Sequence, residues 1–373
     1  MNKLKPIAIH LPQFHPIPEN DAWWGRGFTE WTNVAKAKPR FNGHYQPHLP
    51  ADLGFYDLRL AEARLAQEKL AKEYGIYGFC YYHYWFNGKL LLETPLHQKL
   101  QNPIEDLPFM LCWANENWTR TWDGRNSNVL MEQHYHQNND DEAHIQYLIP
   151  FFKDPRYIRV QGKPIFAFYR PDIIPDIEKT IETFRRVAKE HELDLHLVWF
   201  ERWHGWHEND PKVSLMDAAV EFQPLSKTYQ KFTNIEKWSK WDYVKFLFKK
   251  HVLKQVTYPN PRKNHTIDYH KFVQFDQSIT LSKNTYPGVS PGWDNSARRV
   301  NKKATIFINN HPNLFYQWLQ DKVQKFSPAN HMEHFIFVNA WNEWAEGNHL
   351  EPCQKWGISF LEKVKQIVEV YKK

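Results

Sequence analysis

The sequence predicts a (β/α)8 barrel, a TIM barrel of the α/β class with long insertions at the C-terminal face of its strands. Three observations carry this expectation. Eight short apolar runs read as buried strands, amphipathic helical patterns separate several of them, and the three longest loops all leave the carboxyl end of a strand. The 373 residues are 42% hydrophobic and 24% charged, which excludes disordered and fibrous chains. One enlarged domain, 1-373, is expected, with 223-284 as a basic, aromatic insertion inside it.

The first strand is Pro6–Leu11, an apolar run stopped by Pro12. A helical pattern, Leu58–Tyr74, ends at Gly75 and leads into the aromatic strand Ile76–Tyr82. Pro108–Trp113 is the third strand, and Asp141–Phe152, with acids in its first turn, the helix before the fourth, Pro164–Phe168. Pro175–Glu190 starts on a proline suited to a first helical turn and precedes the fifth strand, Leu195–Phe200. Between that strand and the sixth, Asp217–Phe222, the stretch His204–Met216 leaves little room for a full helix. Thr285–Ser290, the helix Asn313–Phe326, Phe335–Ala340 and the closing helix Ile358–Tyr371 complete the series. Strands apolar on both faces fit a parallel sheet. A doubly wound open sheet competes, but no Gly-rich phosphate or dinucleotide loop follows any strand.

Three function classes lose ground on composition. No apolar run approaches the roughly 18 to 20 residues of a membrane span, and Met1–Pro6 leads into a strand without a signal-peptide core, so a cytoplasmic protein is expected. Cys80, Cys112 and Cys353 are too few for a disulfide scaffold and read as buried thiols. The net charge of +6 is uneven: eleven Lys or Arg against three acids between Lys227 and Lys271 give +8 there and −2 elsewhere. The main body is therefore not a nucleic-acid binder.

Chemistry-bearing residues gather where the strands end. Gln13 and His15, His83 and Trp85, Asn115 to Asn117, Tyr169 and Arg170, Glu201, Glu221, Trp293 to Asn295, and Asn342, Glu343 and Glu346 form such a ring. Buried carboxylates are costly unless solvated, paired or catalytic. Sugars suit this mixture, because their C–H faces stack on Trp and Tyr and their hydroxyls bond Asp, Glu, Asn and His. The run Trp113-Ala-Asn-Glu-Asn-Trp118, followed by Arg120, Trp122 and Asp123, has that mixture, and Trp23, Trp24 and Trp31 add a second aromatic group. A hydrated loop cluster and ordinary core tryptophans are the bland alternatives. In Val338-Asn-Ala-Trp-Asn-Glu-Trp-Ala-Glu-Gly-Asn-His-Leu-Glu-Pro352, Glu343 and Glu346 stand three apart, on one side of a starting helical turn. Mutual repulsion and the flanking Trp341 and Trp344 are expected to raise one pKa, setting an acid beside a base.

This last segment resembles the catalytic motif of glycoside hydrolase family 99, the endo-α-mannosidase type. The whole chain is similar to WbsX-type proteins of bacterial surface-polysaccharide (O-antigen, lipopolysaccharide or capsule) loci. The resemblance runs through Ile9-His-Leu-Pro-Gln-Phe-His15, Gly27-Phe-Thr-Glu-Trp-Thr-Asn33, Pro47-His48, Gly78-Phe79 with Tyr82-His83-Tyr84-Trp85, Trp113–Trp118, Pro291-Gly-Trp-Asp-Asn295 and Asn342-Glu-Trp-Ala-Glu-Gly347. It implies a retaining reaction in which the sugar's own 2-hydroxyl attacks the anomeric carbon, Glu343 as base and Glu346 as acid. Ala345 and Asn348 depart from the mannosidase pattern, which leaves the sugar open. The substrate-binding set expected around the pair is His15, Trp31, His83, Trp85, Trp113, Asn115, Glu116, Asn117, Trp118, Tyr169, Trp293, Asp294, Trp341 and Asn342.

Competing readings remain at this level. Asn115-Glu116 and Asn342-Glu343 both read Asn-Glu at strand ends, and carboxylates about 5 Å apart would suit a double displacement. A glycosyltransferase of polysaccharide biosynthesis is an alternative, although no two aspartates stand two apart as a metal-dependent sugar-nucleotide transferase would have them. A non-catalytic glycan-binding protein is another. No cofactor or metal is expected: His134-x-His136 and His204-x-x-His207 read as chance pairs among 20 histidines. The expected partner is an oligosaccharide or lipid-linked glycan. In Ile235–Val256, Trp238, Trp241, Val244, Phe248 and Val252 fall on one helix face among lysines. That helix is read either as a lid on the barrel or as a peripheral contact with anionic lipid at the inner membrane.

Overall fold

Eight strands run parallel around one sheet in the computed structural model, which describes residues 3–119, 129–137, 139–235, 244, 248, 264–299 and 302–371. They are β1 (Lys5–His10), β2 (Gly78–Phe86), β3 (Phe109–Trp113), β4 (Lys163–Phe168), β5 (His196–Glu201), β6 (Ala218–Glu221), β7 in two pieces (Thr285–Tyr286 and Gly288–Val289), and β8 (Phe335–Val338). Each pairs in parallel with the next, and β8 returns to β1 with Lys5 opposite Phe335 and Ala8 opposite Val338. The expected barrel is therefore the observed one.

β7 closes the ring through an interruption. Pro287 has no N–H to give, so Thr285–Tyr286 pairs with β6 while Gly288–Val289 pairs with β8. The Pro287 carbonyl accepts from Phe337 at 2.9 Å, and Gly288 donates to the Glu221 carboxylate at 3.2 Å. A Cβ at Gly288 would stand 2.0 Å from the Glu221 carbonyl oxygen, so only glycine fits.

The outer layer is α1 (Ala61–Glu73), α2 (Thr94–Gln101), α3 (Asp140–Lys153), α4 (Ile177–Glu190), α5 (Tyr269–Gln277), α6 (Pro312–Lys325) and α7 (Ser359–Val370). α4 shows why such helices form: Asp176 caps the Lys179 N–H, and Ile177, Ile181, Phe184, Val187 and Ala188 are buried on one face. α1 inverts the pattern, burying Arg64, Gln67 and Glu68; Arg64 grips Glu105 at 2.9 and 2.7 Å, and Glu68 pairs with Lys99. Between β5 and β6 a 3-10 turn, Pro211–Leu215, stands in place of a helix, as the short spacer implied. α2 and α5 were not foreseen, nor was a parallel pair outside the barrel, Asn264–Asp268 with Ala304–Ile308.

Cys80, Cys112 and Cys353 are buried free thiols. Among the described residues no helix is long and apolar enough to cross a membrane. Of the basic aromatic helix, only Ile235, Val244 and Phe248 are described; Val244 and Phe248 are helical and exposed, and the rest of Ile235–Val256 lies outside the described residues, as do Arg120, Trp122 and Asp123.

Candidate active site

A cavity of about 810 Å³ opens at the carboxyl ends of the strands, and Glu343 and Glu346 both line it. They are carried by a tight hairpin beyond β8, in which Asn342–Glu343 pairs antiparallel with Asn348–His349. A 3-10 turn, Trp344–Glu346, lies between, closed by Gly347 in the left-handed region at φ 56°. Asn342 locks this hairpin to β1 by accepting from the Leu11 N–H at 2.7 Å and donating to the Leu11 carbonyl at 3.0 Å. Trp344 is fixed from below: its Nε1 donates to Glu351 at 2.6 Å, and its ring packs on Trp31 and His349.

One buried guanidinium organises the acids. Arg298 holds Glu343 at 2.8 Å, Glu346 at 2.7 Å and the fully buried Glu30 at 2.7 Å. Each member of the pair gives one oxygen to Arg298, Oε2 of Glu343 and Oε1 of Glu346. Among the described residues the other oxygen of each has no protein partner, and neither is sealed from the cavity. Burial pushes Glu343 up to about 8; Arg298 opposes that shift, and Glu346 and Glu30 add to it. Burial raises Glu346 as well, again against Arg298. One cation facing three carboxylates leaves the cluster short of positive charge, so the pair retains a proton at neutral pH.

Opposite in character is Glu116. Burial alone would raise its carboxyl, but Arg202 and Arg170 outweigh it and hold the group below the usual range. The contacts are 2.6 Å from Arg170 and 3.1 Å from Arg202, both to the same oxygen. Glu116 is thus a fixed anion with no proton to give.

Aromatic rings complete the walls. Tyr82 and Tyr84 of β2 line the cavity, and their hydroxyls have no hydrogen-bond partner among the described residues. Tyr169 stands edge-on to Tyr82 at 5.7 Å, and Trp118 edge-on to Tyr84 at 5.1 Å. Burial raises both of these β2 phenols, Tyr82 and Tyr84, well above the ordinary tyrosine range, so they stay neutral donors.

Of the residues expected in the site, Glu116, Asn117, Trp118, Tyr169 and Trp293 line the cavity with the Glu pair. The others sit behind it. Strand alternation turns His83 and Trp85 to the outer face, where His83 meets His144 of α3 at 2.8 Å and Trp85 donates to Asp140. Trp113 is fully buried beside them and donates to the Trp85 carbonyl. His15 is buried against the Pro12 carbonyl, Trp31 donates to the Tyr56 carbonyl, and Trp341 packs on Phe79. Asn115 ties its loop to the Arg170 backbone, and Asn342 is the hairpin lock already described. Asp294 faces a second cavity of about 320 Å³, held by His44 and Gln46 at 2.7 Å each. Sequence reasoning passed over Arg298, Glu30, Tyr82, Tyr84 and Arg202. Glu30, Tyr82 and Tyr84 lie inside quoted segments, and the period of two along β2 is the available signal for Tyr82 and Tyr84; Arg298 and Arg202 carry none. Among the described residues no group of three His, Cys, Asp or Glu is placed to hold a metal; His134 lies 3.6 Å from Glu132, and His136 2.8 Å from Asp141.

Known proteins share both fold and sequence with this chain. It is similar to the protein described as uncharacterized protein WxcX of Xanthomonas campestris pv. campestris. The identity is 41% in strain B100 and 40% in strain ATCC 33913, over 362 residues, covering 96% of this chain and 49% of each relative. The chain therefore spans about half the length of the curated relatives it matches. In fold it resembles a glycoside hydrolase-like protein, with a TM-score of 0.57, 13% identity, and coverage of 98% of this chain and 94% of the other. The endo-alpha-mannosidase of family GH99 from Bacteroides thetaiotaomicron matches with a TM-score of 0.57, 13% identity, and coverage of 98% and 97%. The model of the family described as glycosyltransferase WbsX matches residues 6–364, and the chain belongs to that family.

Proposed function

We propose that the cavity binds a glycan and that Glu343 and Glu346 cleave or transfer a glycosidic bond in a bacterial surface polysaccharide such as an O-antigen or capsule. The observation that carries this reading is the division of labour within each carboxylate: one oxygen is anchored on Arg298, and the other is left open on the cavity. Glu343 takes the proton of the sugar 2-hydroxyl, O2 attacks C1, the bond from C1 to the leaving oxygen breaks, and Glu346 protonates that oxygen. A 1,2-anhydro sugar results. Water or an acceptor hydroxyl then attacks C1 and gives its proton to Glu346, while Glu343 returns its proton to O2. The configuration at C1 is retained.

Through both steps the two carboxylates together hold a single proton, so the charge facing Arg298 is constant. In the empty site burial keeps that proton on the coupled pair. A bound 2-hydroxyl donating to Glu343, and a glycosidic oxygen accepting from Glu346, place the proton on the acid before reaction. Tyr82 and Tyr84 supply neutral hydroxyl donors to the sugar, and Trp118 and Tyr169 its apolar faces. Glu116, already ionised between two arginines, suits hydrogen bonding to sugar hydroxyls better than nucleophilic attack.

Turnover of surface-glycan oligosaccharides, with NMR of the anomeric product, tests the reading. Glu343→Gln and Glu346→Gln each lower kcat by roughly 10²- to 10⁴-fold, while Glu116→Gln mainly raises KM. Loss of chemistry in Glu116→Gln at unchanged affinity, with survival of Glu346→Gln, would overturn it in favour of double displacement.

The description of the matched family favours a second reading, transfer from a nucleotide-sugar donor. Product analysis with oligosaccharide and with nucleotide-sugar donors separates the two. The proposed partner is a glycan, in free or lipid-linked form, and the proposed setting is the cytoplasmic side of the inner membrane. The exposed Val244 and Phe248 support a peripheral contact with anionic lipid there. Co-sedimentation with anionic vesicles at low salt checks this contact.

A further inference from the structure

The two sides of the cavity differ in charge. The loops after β5 and β6 stand across the barrel mouth from β1 and β2, and they carry Arg202, Trp203, His204 and Tyr229 into the cavity wall; Arg299, after β7, joins them. None of these is used by the proposed chemistry at Glu343 and Glu346. The Arg202 guanidinium lies 4.1 Å over the Tyr169 ring and 5.5 Å from that of Phe222, and the residue is 8% exposed. Among the described residues its ion pair runs from Nη1 to the Glu116 oxygen that Arg170 also takes, and its Nε has no partner. Arg170 is in turn held by Asp172 at 2.8 and 2.7 Å. Arg299 is exposed and pairs with no carboxylate among the described residues. Three arginines therefore stand on this wall beside Glu116 and Asp172, and Arg299, which also lowers the Glu346 carboxyl, has no carboxylate within ion-pairing distance among the described residues. Burial, with Arg202 and Arg170 nearby, lowers His204, which adds a neutral polar ring. Beside these groups Trp203, 39% exposed, offers an apolar ring face, and Tyr229 packs edge-on against it at 6.2 Å.

We propose that Arg202, Trp203, His204, Tyr229 and Arg299 form a second sugar subsite, which selects a unit bearing an anionic group, a carboxylate or a phosphate ester, next to the unit held at the Glu pair. This rests on the glycan reading above and deepens it. The sugar ring lies on Trp203, and the anionic group meets the unpartnered Nε–H of Arg202 and the exposed guanidinium of Arg299, where guanidinium geometry favours carboxylate and phosphate oxygens over neutral hydroxyls. A neutral sugar would leave these donors without an anion.

Three methyl hexosides identical except at C6 test the proposal: the glucoside, the glucuronide and the glucoside 6-phosphate. Their affinities are measured by ligand-observed NMR and tryptophan fluorescence on the full chain, wild-type and Glu343→Gln. An anionic ligand is expected to bind roughly tenfold more tightly than the neutral one. Whichever of the two leads identifies the carboxylate or the phosphate as the natural group. Arg299→Gln, at an exposed position, reduces the preference, and Arg202→Gln removes it. Trp203→Ala weakens all three ligands alike. Equal binding of the three, or a preference unchanged in both arginine variants, overturns the proposal. Glu343→Gln separates this idea from the catalytic one: it abolishes turnover and keeps the preference. A preference found in a wild-type chain that turns over no glycan counts against the catalysis and for the subsite. Turnover of glycans indifferent to anionic groups counts the other way.

Discussion

Arg298 decides what the two acids can do, because a guanidinium shared by Glu30, Glu343 and Glu346 fixes both their positions and their protons. With Glu343 pushed up to about 8 by burial, the last proton leaves the coupled pair near that pH. Above it no acid remains for the leaving oxygen, so kcat/KM should fall as pH rises through about 8. Glu30 is buried, and its charge raises both members of the pair. Glu30→Gln should therefore move this falling limb to lower pH, which a pH profile of kcat/KM measures directly. A limb that stays in place would show that Glu30 only packs the site. Arg298→Gln removes the one cation from three buried carboxylates and should cost about 3–5 kcal/mol in denaturant unfolding. At this scale the Glu pair was legible, since acids three apart at a strand end form a pattern. Arg298 was not, because a lone arginine in a loop has no spacing to read. Position at a strand end and the resemblance through Tyr82-His83-Tyr84-Trp85 both point to His83 and Trp85, but neither says which face each takes; strand alternation sends Tyr82 and Tyr84 inward in their place.

Elements were legible to the extent that burial wrote them into composition. Strands sealed on both faces are nearly all apolar, and so the eight runs stand out. α1 is legible as the helical pattern Leu58–Tyr74, but the face it buries is not, since that face is Arg64, Gln67, Glu68 and Ala71. α2 is eight residues long and α5 nine, too short for a helical period to rise above chance. The seam at β7 could not be read either. Pro287 argues against a continuous central strand, and only the structure reveals that the two halves pair with different neighbours. Gly288 is the test of that seam. An alanine there would place its Cβ 2.0 Å from the Glu221 carbonyl oxygen, against backbone that has nowhere to move. Gly288→Ala should lose about 3 kcal/mol or more of stability, read as a lower denaturant midpoint at unchanged slope. A midpoint equal to wild type would mean that the closure between β6 and β8 is looser than described.

At the scale of the whole molecule, buried titratable groups set the pH at which the fold is most stable, and two sets pull in opposite directions. Burial lowers His10, His83 and His349 to about 3, and His15, His48 and His196 to about 4. Unfolded, each returns to 6.5, so below that pH the unfolded chain binds more protons than the native one, and stability rises as pH climbs toward 6.5. Burial raises Glu221 and Glu351 to about 7 and Glu343 to about 8. Unfolded, these return to 4.5, so from there upward the native state holds protons that the unfolded chain has released, and stability falls until each folded value is passed. A fully unbalanced proton is worth about 1.4 kcal/mol per pH unit. Between pH 5 and 6.5 six histidines outweigh three glutamates, and stability should rise steeply. From 6.5 to 8 the histidines are titrated in neither state, the glutamates act alone, and stability should decline gently. The Tm measured across this range should therefore peak close to pH 6.5–7. Glu343→Gln tests the assignment of the falling limb, since removing the carboxyl titrating highest should flatten the decline between 7 and 8 and steepen the rise between 5 and 6.5, where Glu343 no longer opposes the histidines. If that variant declines as steeply as wild type, the proton attributed to the pair resides elsewhere, and the acid needed for the leaving oxygen is missing with it.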